Sequence, residues 1–243
     1  MSIDGVGGLR PLSVAVAEVR ERGTPGYVED WARRWRDARP QLKVKEPSVA
    51  VRSSIADAEA LSRRVRLSDA RLFDFGCGHG RSAIGLLLHG MGSYLGVDVR
   101  REAVAFARRL FAEHPNCRFE HLDAANGRYN KGGARNPSLP APDRSCTVAL
   151  AVSVFSHEPD DGVVAHYLGE LWRVLTPDGV LASTWLTSPP AADDAHYAVR
   201  AREKILALLR WWVPLDCWGV GSISDHWWTL SRKADPAARE LRG

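Results

Sequence analysis

The sequence predicts an α/β fold, a doubly wound and mostly parallel sheet with helices on both faces, preceded by an N-terminal helical extension. Three observations predict it. From Arg71 onward short apolar runs alternate with amphipathic segments, the pattern of repeated strand-helix units. A glycine-rich loop joins the first of these runs to the helix after it. Before Arg71 no strand pattern occurs, and residues 1–70 are helix-like and rich in arginine.

In the extension, Tyr27, Trp31 and Trp35 recur every four residues and share one helical face. A second helix is expected over Val51 to Leu67, with Ile55, Ala58, Leu61 and Val65 on its apolar stripe. Both stripes suit packing on the main domain, and a lid over a ligand is the alternative. RLFDF, SYLGVDV, CRFEHL, CTVALAV and GVLASTWL are the five candidate strands. Helices are expected at Arg81 to His89, Arg101 to His114 and Asp161 to Leu175, the last stopped by the turn Thr176-Pro177-Asp178-Gly179. Residues 127–142 form a long glycine- and proline-rich loop where a crossover is usual, and such loops are often functional. Ala195 to Trp212 reads as a helix, and Val213 to Leu230 as an aromatic-rich antiparallel hairpin with turn signals at Gly219, Gly221 and Asp225.

Composition bounds the function. The chain has 243 residues, 45% apolar and 26% charged, which excludes disorder, collagen and coiled coil as whole-chain descriptions. Its longest apolar runs, such as Val148 to Val152, fall far short of the roughly 20 residues that span a bilayer. Met1 to Arg10 lacks the basic and apolar regions of a secretory signal, so a cytoplasmic location is expected. Cys77, Cys117, Cys146 and Cys217 match no zinc or short disulfide spacing and are expected to be free thiols. A net charge of +4 suits an anionic ligand but is too small to argue for nucleic acid.

The chemistry is carried by Asp74-Phe-Gly76-Cys77-Gly78-His79-Gly80-Arg81, between a strand and a helix. Its glycines let the backbone turn tightly and approach a ligand. Asp98 follows about 20 residues on at the end of the next strand, where an acid can accept from a ribose. The third glycine of the dinucleotide fingerprint is replaced by Arg81, three places after Gly78, and its bulk opposes close helix-strand packing.

With Asp123-Ala124 at the end of the third strand, these motifs resemble those of the class I S-adenosylmethionine-dependent methyltransferases, whose fold is Rossmann-like. The resemblance covers about Arg71 to Trp185 and divides the chain into a helical extension or lid, 1–70, and a methyltransferase domain, 71–243. It implies S-adenosyl-L-methionine as cofactor. Asp74 then lies near the amino end of the methionine, and Gly76, Cys77, Gly78 and Gly80 form the loop beneath the cofactor. Asp98 takes both ribose hydroxyls, with Val99 beside it, and Asp123 receives the adenine amino group next to the Ala124 amide. Ser153, at the end of the fourth strand, completes the expected cofactor contacts.

Ser153-Val-Phe-Ser-His157 looks like the Ser-Val-Phe-Thr-His stretch of a bacterial subgroup of these enzymes, many of which act on sugars, lipids or secondary metabolites. His157 is the candidate general base, since imidazole accepts a proton near neutral pH. Glu158, Asp160 and Asp161 suit helix capping better than a metal site, and no metal is expected. The motifs of nucleic-acid base methylation are absent after the fourth strand, leaving an oxygen or nitrogen of a small molecule as the expected acceptor and no nucleic-acid partner. A cofactor-binding protein without catalysis, an RNA methyltransferase and an NAD-dependent oxidoreductase are the alternatives. The tail matches the family's usual closing strand pair poorly.

Overall fold

The computed structural model describes residues 12–38, 46–188, 197–220 and 223–233. Helices α1 (Leu12–Ala38) and α2 (Pro47–Ser62) precede β1 (Arg71–Phe75), α3 (Arg81–Leu87), β2 (Ser93–Asp98), α4 (Arg101–Leu110), β3 (Cys117–His121) and β4 (Cys146–Ala151). A single turn over Phe155–His157 leads to α5 (Asp161–Val174), β5 (Leu175–Leu186), α6 (Arg202–Leu208), β6 (Trp212–Val220) and β7 (Ile223–Lys233). The seven strands form one sheet in the order β3-β2-β1-β4-β5-β7-β6. Strands β1 to β5 are parallel, while β7 runs antiparallel to both β5 and β6.

The apolar runs become strands because both sheet faces are covered. Leu72, Val148, Leu150 and Ala182 point into one core with α1 to α4. Phe73, Phe75, Ala149, Ala151 and Leu181 point into the other, with α5 and α6. The Tyr27, Trp31 and Trp35 stripe packs into the first core, where Trp31 lies 5.0 Å from Phe111 and Trp35 5.3 Å from Phe106 between ring centroids.

Several boundaries differ from those read in the sequence. α2 begins before Val51, because Pro47 supplies a preset first turn, and it ends before Val65. The helix expected over Ala195 to Trp212 is only α6. Residues 195 and 196 lie outside the described residues, while Val199 pairs with Leu186 and the Arg200 amide donates to the Leu186 carbonyl, holding this stretch extended. The turn at Thr176 to Gly179 is present as a bulge: Leu175 pairs with Cys146 and Val180 with Val148. The hairpin in the tail is β6–β7, and it does supply a closing antiparallel pair, with β7 inserted next to β5.

The loop after β3 is pinned and not loose. Arg173 of α5 donates to the carbonyls of Ala141 and Leu139, and Glu170 accepts the Leu139 amide at 2.8 Å. Among the described residues no helix is long and apolar enough to cross a membrane. Cys77, Cys117 and Cys146 are buried free thiols, and Cys217 is an exposed one.

Candidate functional site

A cleft of about 550 Å³ opens at the C-terminal ends of the parallel strands, where ligands bind in open α/β sheets. β1 delivers the glycine loop to it. Gly76 and Gly78 adopt φ of +75° and +54°, and a Cβ on Gly76 would lie 2.4 Å from Val154. This backbone therefore approaches its neighbours as only glycine can. Asp98 fastens the loop from β2. One carboxylate oxygen accepts the Gly78 amide at 2.7 Å, and the other accepts the Arg100 amide at 2.9 Å.

Gly76, Cys77, Gly78, Asp98, Val99, Ala124, Ser153 and His157 all line this one cleft. Asp74, Gly80 and Asp123 stand outside its lining. Asp74 is buried at the end of β1, where one oxygen accepts the Tyr94 hydroxyl at 2.5 Å and the other has no partner. Burial pushes its carboxyl up to about 7, against the pull of the Tyr94 hydrogen bond. Gly80 turns toward the core, where a Cβ would meet Phe111 at 2.8 Å. Asp123 is exposed and accepts a hydrogen bond from Asn130 at 3.1 Å.

Beyond the glycine loop, Ser153 holds a positive φ of 57° at the end of β4, and its amide donates to Thr184 of β5 at 2.7 Å. This redirects the chain into the Phe155–His157 turn. Arg200, nearly fully buried, clamps the turn by donating to the carbonyls of Phe155 and Glu158 and pairing with Asp161 at 2.9 Å. The His157 ring sits beside Tyr197 at 4.8 Å and Tyr129 at 5.8 Å, with an Arg128 nitrogen 3.5 Å from its Nδ1. Glu158 also lines the cleft, and burial raises its carboxyl above the usual range. Asp160 caps α5 through the Gly162 and Val163 amides, and Asp161 pairs with Arg200 and Lys204. Among the described residues no cluster of three potential metal ligands occurs.

Several lining residues lie outside the sequence motifs. The extension contributes Trp35, Val49, Ala50 and Ser53, the exit from β3 contributes Asn126, and the long loop contributes Tyr129. Arg100 lies between Asp98 and the Tyr129 ring, 5.2 Å from its centroid. Only two of these had a signal in the sequence: Trp35 ends the aromatic stripe, and Tyr129 is the aromatic of the unusual loop.

Residues 72–179 match a family model described as a methyltransferase domain. Among solved structures, the chain is similar to a protein of Pyrococcus horikoshii OT3, with 16% identity over 75% of this chain and 91% of that one and a TM-score of 0.59. A SAM-dependent methyltransferase from Aquifex aeolicus matches at 18% identity, covering 75% of this chain and 93% of that one, with a TM-score of 0.58. Geranyl diphosphate C-methyltransferase from Streptomyces coelicolor A3(2) matches at 15% identity over 74% and 76%, with a TM-score of 0.56. At such identities the likeness to these three is one of fold.

Proposed function

We propose that residues 72–179, which match a methyltransferase-domain model, form a class I domain that takes S-adenosylmethionine as cofactor, and that the chain methylates an oxygen or nitrogen of a small molecule. The residues fit the cofactor. A glycine loop with open backbone, a carboxylate at the end of β2 and an unpartnered buried oxygen on Asp74 face or adjoin one cleft. In this reading Asp98 holds the ribose hydroxyls, Val99 and Ala124 flank the adenine, and Cys77 and Ser153 border the loop and the reacting end. Asp74 answers the ammonium through the loop, and Gly80 shapes the loop from behind. Asp123 keeps one oxygen on Asn130 and offers the other to the adenine amine.

The observation that supports the acceptor class is His157 in the same cleft as the glycine loop, with Tyr129 lining the cleft beside it and Tyr197 packed against its ring. The cavity has the size of a small-molecule site. When bound, S-adenosylmethionine supplies a methyl group made electrophilic by its sulfonium. The protein's part is to hold the acceptor in line, exclude water and, for a hydroxyl acceptor, take its proton. His157 takes that proton as the acceptor oxygen gains the methyl group.

His157→Ala tests this reading. Turnover measured by S-adenosylhomocysteine release should fall by roughly 10² to 10⁴, with cofactor affinity nearly intact and the acidic limb of the pH-rate profile lost. For a neutral nitrogen acceptor, which needs no base, the same substitution should mainly raise KM. Retention of both turnover and KM would remove His157 from the reaction.

A further inference from the structure

Asp98 and Glu158 are the two carboxylates that line the cleft. Asp98 is already engaged by the Gly78 and Arg100 amides. Glu158, half-buried in the wall beside His157, is less committed. Among the described residues no cation pairs with its carboxylate, because the Arg200 guanidinium bonds the Phe155 and Glu158 carbonyls and Asp161 instead. One Glu158 oxygen accepts the Asp160 amide at 3.0 Å. The other meets the Asn126 side chain at 3.5 Å, the outer limit of a hydrogen bond. That oxygen keeps a lone pair for a donor in the cleft.

Asn126 offers the opposite chemistry. Its side-chain oxygen accepts the Arg128 and Tyr129 amides at 3.0 and 3.1 Å, so its NH2 group is the end turned to Glu158. One N–H of that group points at Glu158 and the second remains. A donor and an acceptor thus stand side by side at the exit from β3, where Ala124 and Ala125 also line the cleft. The backbone amides there are occupied: Ala124 donates to the Leu122 carbonyl and Ala125 to the Ala134 carbonyl, both at 2.8 Å.

We infer that Glu158 and Asn126 read the adenine edge of the cofactor, Glu158 accepting from the exocyclic amine and Asn126 donating to the ring nitrogen N1. This rests on the cofactor assignment above, in which Val99 and Ala124 flank the adenine. Adenine presents an N–H donor next to a ring acceptor, the complement of this pair. The amine's other N–H is the one left for Asp123. A hypoxanthine ring presents the reverse order, a carbonyl next to an N1–H, and leaves both side chains facing a group of their own kind.

S-inosylhomocysteine differs from S-adenosylhomocysteine at this edge alone. By calorimetry the wild-type protein should bind it roughly 100-fold more weakly, since two hydrogen bonds become two opposed contacts. Glu158→Gln keeps an oxygen for the Asp160 amide and can turn an N–H toward the hypoxanthine carbonyl. It should weaken S-adenosylhomocysteine roughly tenfold and leave S-inosylhomocysteine no weaker, so that the preference narrows to about tenfold or less. No preference in the wild-type protein, or the full preference in the variant, would overturn the assignment. Ligand changes on the wild-type protein give an answer that does not depend on how the variant folds. Replacing N1 of S-adenosylhomocysteine by C–H should weaken binding about tenfold, whereas replacing N7 by C–H should not. Equal effects of the two replacements, or none, count against Asn126 and Glu158. If the wild-type protein does not bind S-adenosylhomocysteine itself, the cofactor assignment fails instead, which is a different result from binding without discrimination.

Discussion

Asp98 has two tasks that substitution can separate. It already holds the glycine loop through the Gly78 amide and starts α4 through the Arg100 amide, and the ribose would add two donors. Asp98→Ala should weaken S-adenosylhomocysteine by roughly 10- to 100-fold, the loss of charge-assisted hydrogen bonds, read by calorimetry on a folded variant. Asp74 makes a prediction about pH. Its folded carboxyl titrates near 7 while the unfolded reference is 3.8, so between those values the native state keeps a proton that the unfolded chain has lost. The stability it contributes is complete below about pH 4 and disappears as the pH rises through about 7. Asp74→Asn should flatten that decline, on the order of 4 kcal/mol across the window, in urea unfolding of the ligand-free protein. At this scale the sequence displayed what is local: Asp74, the glycines and Asp98 follow from spacing along one chain segment. Trp35 and Tyr129 showed only as aromatics, one on a helical stripe and one in an unusual loop, because each reaches the cleft through packing between elements distant in sequence, while Arg100, two residues past Asp98, belongs to no motif.

Helix α2 meets α3 at a contact with no spare room, since a Cβ on Gly85 would lie 2.2 Å from the Ser54 carbonyl oxygen. Gly85→Ala should push the two helices apart and cost about 1 to 3 kcal/mol in thermal unfolding, as overpacking does. Gly169→Ala is the same substitution on the exposed side of α5, where no heavy atom lies within 4 Å of the new Cβ. It should stabilise the protein by up to about 1 kcal/mol through helix propensity. The core-facing periodicity of α4 and α5 was readable because a single stripe is buried against one sheet face. Helix α6 was overextended because apolar residues before Arg202 do not report that Val199 pairs with Leu186. The loop after β3 was recognisable as unusual from its glycines and prolines, but its anchoring by Arg173 and Glu170 depends on a helix some thirty positions away.

Helices α1 and α2 share their apolar core with α3, α4 and one face of the sheet, and the Tyr27 hydroxyl donates to the Ile84 carbonyl at 2.5 Å. A chain beginning after Ser62 would uncover Ile84, Phe106 and Phe111. It should bind a hydrophobic dye and lose cooperative thermal unfolding, the outcome expected if α1 and α2 belong to one folding unit with the sheet. That the first five strands are parallel was legible in the sequence, since short strand-helix units make right-handed crossovers, but their order was not. The placement of the tail did not follow, because antiparallel neighbours are chosen by register over long separations. That placement bears on how the chain is made. β6 leaves the ribosome before β7, yet β7 is its only sheet neighbour among the described residues and lies between it and β5. Until β7 emerges, β5 is an open edge and β6 lacks the strand it pairs with, so the nascent domain depends on protection of that edge until β7 has been made. A stop codon between β6 and β7 would therefore strand two elements rather than one, and leave the β5 edge open to neighbouring polypeptides.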